Sequence, residues 1–252
     1  MKKRGLLLFV FLVTSLAMSG VAWADTLTLT GTIRDFRLFG TVGGHADFEH
    51  YLGFDPGIVT STLGGDGKPV YAGTVGNPTT TGATEFNQWY NDTLGVNSSM
   101  SYSIVLDNTG HPATYTYANS SFFPIDGLLF GNQGYSHNYG FTYELNTTFG
   151  YAAGQSFTFT GDDDVWVYIN GNRVIDLGGV HGAMSASVNL DTLGLTVGNN
   201  YSLAVFFAER HTSESNFRID TSIANLQSVP EPTSILLLSM GLVGIVAASR
   251  RR

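Results

Sequence analysis

The chain has 252 residues, no cysteine, and 20 acidic against 12 basic side chains. Half of the basic residues lie within four positions of a terminus, so residues 25–228 carry six basic and nineteen acidic groups, a formal charge of about −13. Such an excess argues against nucleic acid and anionic lipid as partners, and without disulfides the fold must rest on a sizeable core or on bound metal.

The N-terminus reads as a leader. Met1-Lys2-Lys3-Arg4 is basic, Gly5 to Ala17 is apolar, and Ala22-Trp23-Ala24 is a small-x-small site. That order predicts a signal peptide over 1–24, removed by signal peptidase after Ala24. The body that follows, 25–228, is rich in Gly, Ser, Thr and Asn. Short β-like runs recur through it: Leu27 to Thr30, Tyr102 to Leu106, Ala113 to Tyr117, Tyr139 to Leu145, Ser156 to Thr160, Val165 to Ile169, Ser187 to Leu190 and Leu203 to Phe207. Polar turns part them, such as Asp107-Asn108-Thr109-Gly110 and Gly198-Asn199-Asn200. Many short strands with such turns predict an all-β antiparallel sandwich. Residues 35–97 read as loop-rich. One helix is predicted within them, from Thr84 to Asn91, where Phe86, Trp89 and Tyr90 share a face.

The stretch from Gly161 to Gly179 organises the rest. Val165, Val167 and Ile169 alternate with Trp166, Tyr168 and Asn170, the period of a strand. Asn170-Gly171-Asn172 supplies a tight turn, because Asn and Gly accept positive φ cheaply, and Val174-Ile175 begins the return strand. Asp162, Asp163 and Asp164 stand at the mouth of this hairpin. Three adjacent carboxylates repel unless they fan into water or share a cation. Calcium, which takes six to eight oxygen ligands, suits them, with amide and hydroxyl groups of Thr212 to Asn216, and Glu214, as further donors. A solvated acidic turn is the other reading. A zinc site from His181, His211 and Glu209 lacks supporting spacing, and Glu209 with Arg210 reads as a structural ion pair. No Gly-x-Ser-x-Gly elbow, HExxH motif or phosphate-binding glycine loop is present, so the chain reads as non-catalytic.

The C-terminal segment, 229–252, holds Pro230-Glu231-Pro232, an apolar run from Ser234 to Ala248 and the terminal Arg250-Arg251-Arg252. It resembles the PEP-CTERM sorting signal. That resemblance implies export, a transient inner-membrane anchor through a C-terminal transmembrane helix, processing by an exosortase, and a final place at the cell surface or outside the cell.

The body, from Gly31 to about Ile223, resembles the fibro-slime domain, a relative of the PA14 β-sandwich. The resemblance is carried by Gly31 to Phe36, Asp66 to Tyr71, Phe122 to Gly127, Gly161 to Gly182, Leu190 to Leu195 and Phe206 to His211. It implies calcium held by the adjacent pair Asp162 and Asp163 beside a sugar, with Asp164 where many relatives carry glycine and Asn216 from a later loop completing the set. Trp166, Asn170 and His211 are the candidate ligand contacts. The function so implied is binding of a glycan or exopolysaccharide in adhesion or biofilm and floc formation. A self-assembling structural matrix protein is the alternative from another class.

Overall fold

The computed structural model describes residues 25–73 and 78–228. The leader, the sorting segment with Pro230, Glu231, Pro232 and Arg250 to Arg252, and the expected transmembrane helix lie outside the described residues. Among the described residues no helix is long and apolar enough to cross a membrane.

The strands in chain order are β1 (Thr26–Phe36), β2 (Gly53–Phe54), β3 (Val59–Leu63), β4 (Pro69–Tyr71), β5 (Asn97–Asp107), β6 (Tyr115–Asn119), β7 (Phe141–Gly150), β8 (Ser156–Gly161), β9 (Asp164–Ile169), β10 (Asn172–Leu177), β11 (Gly179–Val180), β12 (Met184–Asn189), β13 (Asn200–Glu209), β14 (Phe217–Thr221) and β15 (Gln227–Ser228). One short helix, α1 (Ala83–Phe86), and one 3-10 turn (Leu190–Leu193) complete the elements among the described residues. The predicted helix is therefore shorter than expected, yet Phe86, Trp89 and Tyr90 are all buried as their spacing implied. Residues 35–97 are less irregular than expected, since β2, β3 and β4 fall among them.

Among the described residues every strand pairing is antiparallel, and one continuous path runs β12-β8-β14-β6-β5-β1-β7-β13-β9-β10-β3-β4, with β15 joined to β7. The sheet curls until β10 and β12 meet. Its concave face encloses the main core, which draws Leu29 and Ile33 from β1, Tyr143 and Leu145 from β7, Phe157 and Phe159 from β8, Val205 and Phe207 from β13, and Phe217 and Ile219 from β14.

The β9–β10 hairpin forms as its sequence requires. Ile169 pairs with Asn172 across a two-residue turn, and both turn residues have positive φ, 51° at Asn170 and 74° at Gly171. β9 is buried on both faces. Val165, Val167 and Ile169 enter the main core, while Trp166 and Tyr168 enter a second core on the convex side with Phe36, Phe48, Phe86, Trp89 and Phe206. The excursion between β1 and β5 exists to cover this face: its aromatic side chains close over β9 and β13, which would otherwise present Trp166 and Phe206 to water.

The acidic mouth of the hairpin and the cleft beside it

Asp162 and Asp163 link β8 to β9, and the peptide bond between them is cis. Gly161 permits the approach of the neighbouring loop, because a Cβ there would lie 2.5 Å from the Asn216 carbonyl oxygen. Asn216 sits directly over Asp162. Its backbone N–H donates to one Asp162 carboxylate oxygen at 2.6 Å, and its side-chain amide donates to the other at 2.7 Å. One Asp163 oxygen accepts the Arg210 backbone N–H at 2.9 Å.

The three aspartates that stand in a row do not stay together. Asp164 opens β9 and turns to the opposite side, where it is fully buried. The Arg210 guanidinium donates to it through Nε at 2.5 Å and Nη2 at 3.1 Å, and the Gly179 N–H adds a third bond at 2.6 Å. Its oxygens are committed to this network, so the structure removes Asp164 from the expected metal ligands: strand alternation carries it away from Asp163. The same alternation separates Glu209 from Arg210, so the ion pair expected between them does not form. Arg210 faces the convex core, with its guanidinium 4.7 Å above the Trp89 ring and bonded to the Asp47 and Thr79 carbonyls.

Glu209 ends β13. It is fully buried, and one of its oxygens, Oε2, has no hydrogen-bond partner. Burial pushes its carboxyl well above the usual range, and the nearby Asp163 adds to the rise. Burial also lifts Asp163 well above its ordinary value, with Arg210 opposing and Asp164 reinforcing the shift. Asp162 is raised as well, by burial against the opposing hydrogen bonds of Asn216. Buried carboxylates resist ionisation unless a cation compensates them, so burial favours the protonated form of these groups. Among the described residues no three His, Asp or Glu side chains converge closely enough to form a metal cage by themselves. Calcium also takes amide and backbone carbonyl oxygens; the atom of the Asn216 side chain that faces Asp162 is its amide nitrogen.

The remaining expected contacts scatter. Trp166 is fully buried in the convex core and its indole N–H donates to Asp176 at 3.0 Å, so it presents no ring to a ligand. Asn170 turns the hairpin at the far end of β9, six residues beyond Asp164 and about 20 Å away at ~3.3 Å per residue. His211 does lie on the loop between β13 and β14, with Nε2 3.6 Å from Glu49 and Nδ1 2.9 Å from the Thr212 carbonyl. His181 bonds the Gly182 and Leu177 carbonyls, a structural role.

Sequence reasoning missed the cleft that adjoins Asn216. It has a volume of about 430 Å³ and is walled by Phe123, His137 and Tyr139 on one side and by Glu214 and Asn216 on the other, with five serines between them. The Phe123 and His137 rings stack at 4.0 Å with 5° between their planes, and His137 is held 2.6 Å from Asp126. The wall comes from the long connection between β6 and β7 and the opposite side from the connection between β13 and β14, so no single stretch of sequence contains the site.

Residues 114–229 match the PA14 domain. That span includes the Asp162–Asp163 link, Glu209, Asn216 and the whole wall of the cleft. Residues 228–252 match the PEP-CTERM protein-sorting motif. Among curated proteins, the chain is similar to Protein psiQ of Dictyostelium discoideum, 39% identical over 236 residues, covering 86% of this chain and 23% of psiQ. Protein psiR of the same organism is 40% identical over 89% of this chain and 24% of its own length, and Protein psiD is 38% identical over 88% and 46%. The chain thus spans about a quarter of psiQ and psiR and under half of psiD. These similarities run well beyond the PA14 span into the N-terminal half. Among solved structures, a PA14 sugar-binding domain from an RTX adhesin aligns over 80% of this chain and 95% of its own, at 14% identity and a TM-score of 0.30. The PA14 domain of the MpAFP antifreeze protein aligns over 42% and 60%, at 17% identity and a TM-score of 0.29.

Proposed function

We propose that the protein is an exported, non-catalytic component of a bacterial surface or extracellular matrix, and that it binds an uncharged glycan through a calcium-ordered loop at Asp162 and Asp163. The observation that carries this reading is the cluster of buried carboxylates, Asp162, Asp163 and Glu209, in which Glu209 Oε2 has no partner. Calcium would be held by Asp162, Asp163 and Asn216, and when bound it supplies charge balance and a coordination position for sugar hydroxyls. The chain's own part is to hold those oxygens in place. Asn216 locks Asp162, Arg210 N–H fixes Asp163, and the serine-lined cleft offers hydroxyls and the edges of aromatic rings to a sugar.

Charge supports an uncharged ligand. The six basic residues of the body are all engaged within the fold: Arg34 and Lys68 with Glu144, Arg173 with Asp176, Arg210 with Asp164, Arg218 with Asp220, and Arg37 over the Phe130 ring. Each of these cationic side chains thus has a partner within the fold. A glycosidase needs two carboxyl groups facing each other across a cleft, about 5–9.5 Å apart, and Glu214 is the only carboxylate that lines this one. The sorting motif supports export and handling by an exosortase at the inner membrane, and the resemblance to fibro-slime domains and the role in adhesion or biofilm formation belong to the same reading.

The test is a calorimetric titration of calcium into the mature protein and into the Asp162→Ala/Asp163→Ala variant, followed by a glycan array with and without chelator. Calcium binding by the parent alone, together with glycan binding that chelator abolishes, is the expected result. A folded parent that binds no calcium, or glycan binding indifferent to chelator, refutes it.

A further inference from the structure

Glu144 and Asn146 stand two residues apart on β7, so their side chains share a face. It is the convex face, because Phe206 and Ala204, their partners across the ladder to β13, belong to the convex core. Lys68 reaches the same place from the turn between β3 and β4, 76 residues before Glu144. Backbone bonds fix that turn. The Gly64 N–H donates to the Lys68 carbonyl at 2.8 Å, the Lys68 N–H donates to Asp66 at 3.1 Å, and Gly67 has a φ of 77°. One oxygen, Glu144 Oε1, accepts from both Lys68 Nζ and Asn146 Nδ2, the latter at 2.9 Å. The Glu144 side chain is only 7% exposed and that of Lys68 22%, whereas Asn146 opens to solvent. The Arg34 guanidinium donates to the other Glu144 oxygen at 2.8 Å and, through Nε, to Asp92 at 2.8 Å. An ion pair between Lys68 and Glu144 has no need of the amide. The amide puts an acyl carbon and a nitrogen leaving group on the carboxylate oxygen that holds the amine.

We propose that Lys68 and Asn146 become joined by an isopeptide bond that the fold makes for itself, with Glu144 as the proton carrier. Lys68 Nζ gives a proton to Glu144, and the neutral amine attacks Asn146 Cγ. The bond from Cγ to Lys68 Nζ forms and the bond from Cγ to Asn146 Nδ2 breaks. Glu144 passes the protons from the attacking nitrogen to the departing one, which leaves as ammonium, so that the amine and the amide are consumed and no oxidant or second substrate enters. A carboxyl group in contact with both nitrogens is suited to this transfer. Asp92 balances Arg34 while Glu144 holds the proton, and the exposure of Asn146 gives ammonium a way out. The bond ties the excursion that covers the convex core to β7, in a chain that has no cysteine for a disulfide. It depends on neither calcium nor a glycan.

The experiment is the intact mass of the mature protein, with sequencing of its proteolytic fragments. The parent should weigh one ammonia less than its sequence and yield a branched fragment joining Lys68 to Asn146. Lys68→Arg and Asn146→Ala should have their full sequence masses, and Glu144→Gln should form the link at least about a hundredfold more slowly. A folded parent of full sequence mass overturns the inference and reduces the cluster to an ion-pair network. An ammonia loss that persists in Lys68→Arg or Asn146→Ala also overturns it, since a succinimide at another asparagine loses the same mass. Lys68→Arg keeps the charge facing Glu144 and Asn146→Ala trims an exposed side chain. If Glu144→Gln does not fold, these two variants and the branched fragment decide: full mass in both beside a linked parent supports the inference, and any other pattern overturns it.

Discussion

Asp162, Asp163 and Asp164 are chemically identical neighbours, and the structure divides them between two tasks. Replacing Asp164 by asparagine tests that division. Asp164 and Arg210 are both fully buried, and their ion pair is closed by the 2.5 Å and 3.1 Å bonds from the guanidinium. The substitution keeps the shape and removes the charge, leaving Arg210 buried over Trp89 without its directly bonded anion. Breaking one side of a buried pair costs about 3–5 kcal/mol. In a domain of this size each kcal/mol moves the melting temperature by ~2–4 °C, so Asp164→Asn should melt roughly 6–20 °C below the parent. The assay is thermal unfolding followed by near-UV circular dichroism in the presence of chelator, with Asp163→Asn alongside. Asp163→Asn relieves a buried carboxylate and retains an oxygen for the Arg210 N–H, so in chelator it should melt no lower than the parent. Asp164→Asn melting within about 2 °C of the parent, or Asp163→Asn falling as far as Asp164→Asn, would refute the assignment of one aspartate to the fold and two to the ion.

Asp35 gives a pH signature. Burial lifts its carboxyl from 3.8 to about 6, against the opposing bonds from Asn138 and Phe130. The folded state therefore holds a proton that the unfolded chain has released between those two values, so stability declines as pH rises from about 4 to about 6, by on the order of 3 kcal/mol at most. Urea unfolding across that range should show the decline in the parent and a flattened profile in Asp35→Asn. Trp166→Ala should lower stability by about 3–5 kcal/mol through loss of a fully buried ring, measured by the same unfolding. Asn170→Ala, at the far end of β9, should cost about 1–2 kcal/mol for its positive φ and leave calcium affinity unchanged in calorimetry.

How far each result could be anticipated depends on the range of the interaction behind it. The β9–β10 hairpin was legible because strand alternation and the Asn170-Gly171 turn are local rules. The class of the fold followed from many such segments taken together. The acidic mouth was visible as a run of charge, and Asn216 entered through a family resemblance. What local pattern could not show was which side chains shared a face. Trp166 alternates with valines, and an aromatic on the opposite face of a strand is compatible with solvent, a ligand or a second core. Only the excursion between β1 and β5, folding Phe48, Phe86 and Trp89 over it, decides for the second core.

The same limit explains where Asp164 goes. Sequence placed three aspartates side by side, but a period of two sends neighbours to opposite faces once the strand begins, and Asp164 is where it begins. Its partner, Arg210, lies more than forty residues away, just beyond β13. The cleft likewise joins two connections separated by most of the C-terminal half. By itself the amino-acid sequence determined the strands, the turn and the presence of concentrated negative charge, because those depend on residues a few positions apart. The tertiary structure alone decided which carboxylates meet, which one is neutralised by arginine and which remains unpaired, because burial and pairing are set by the packing of distant strands.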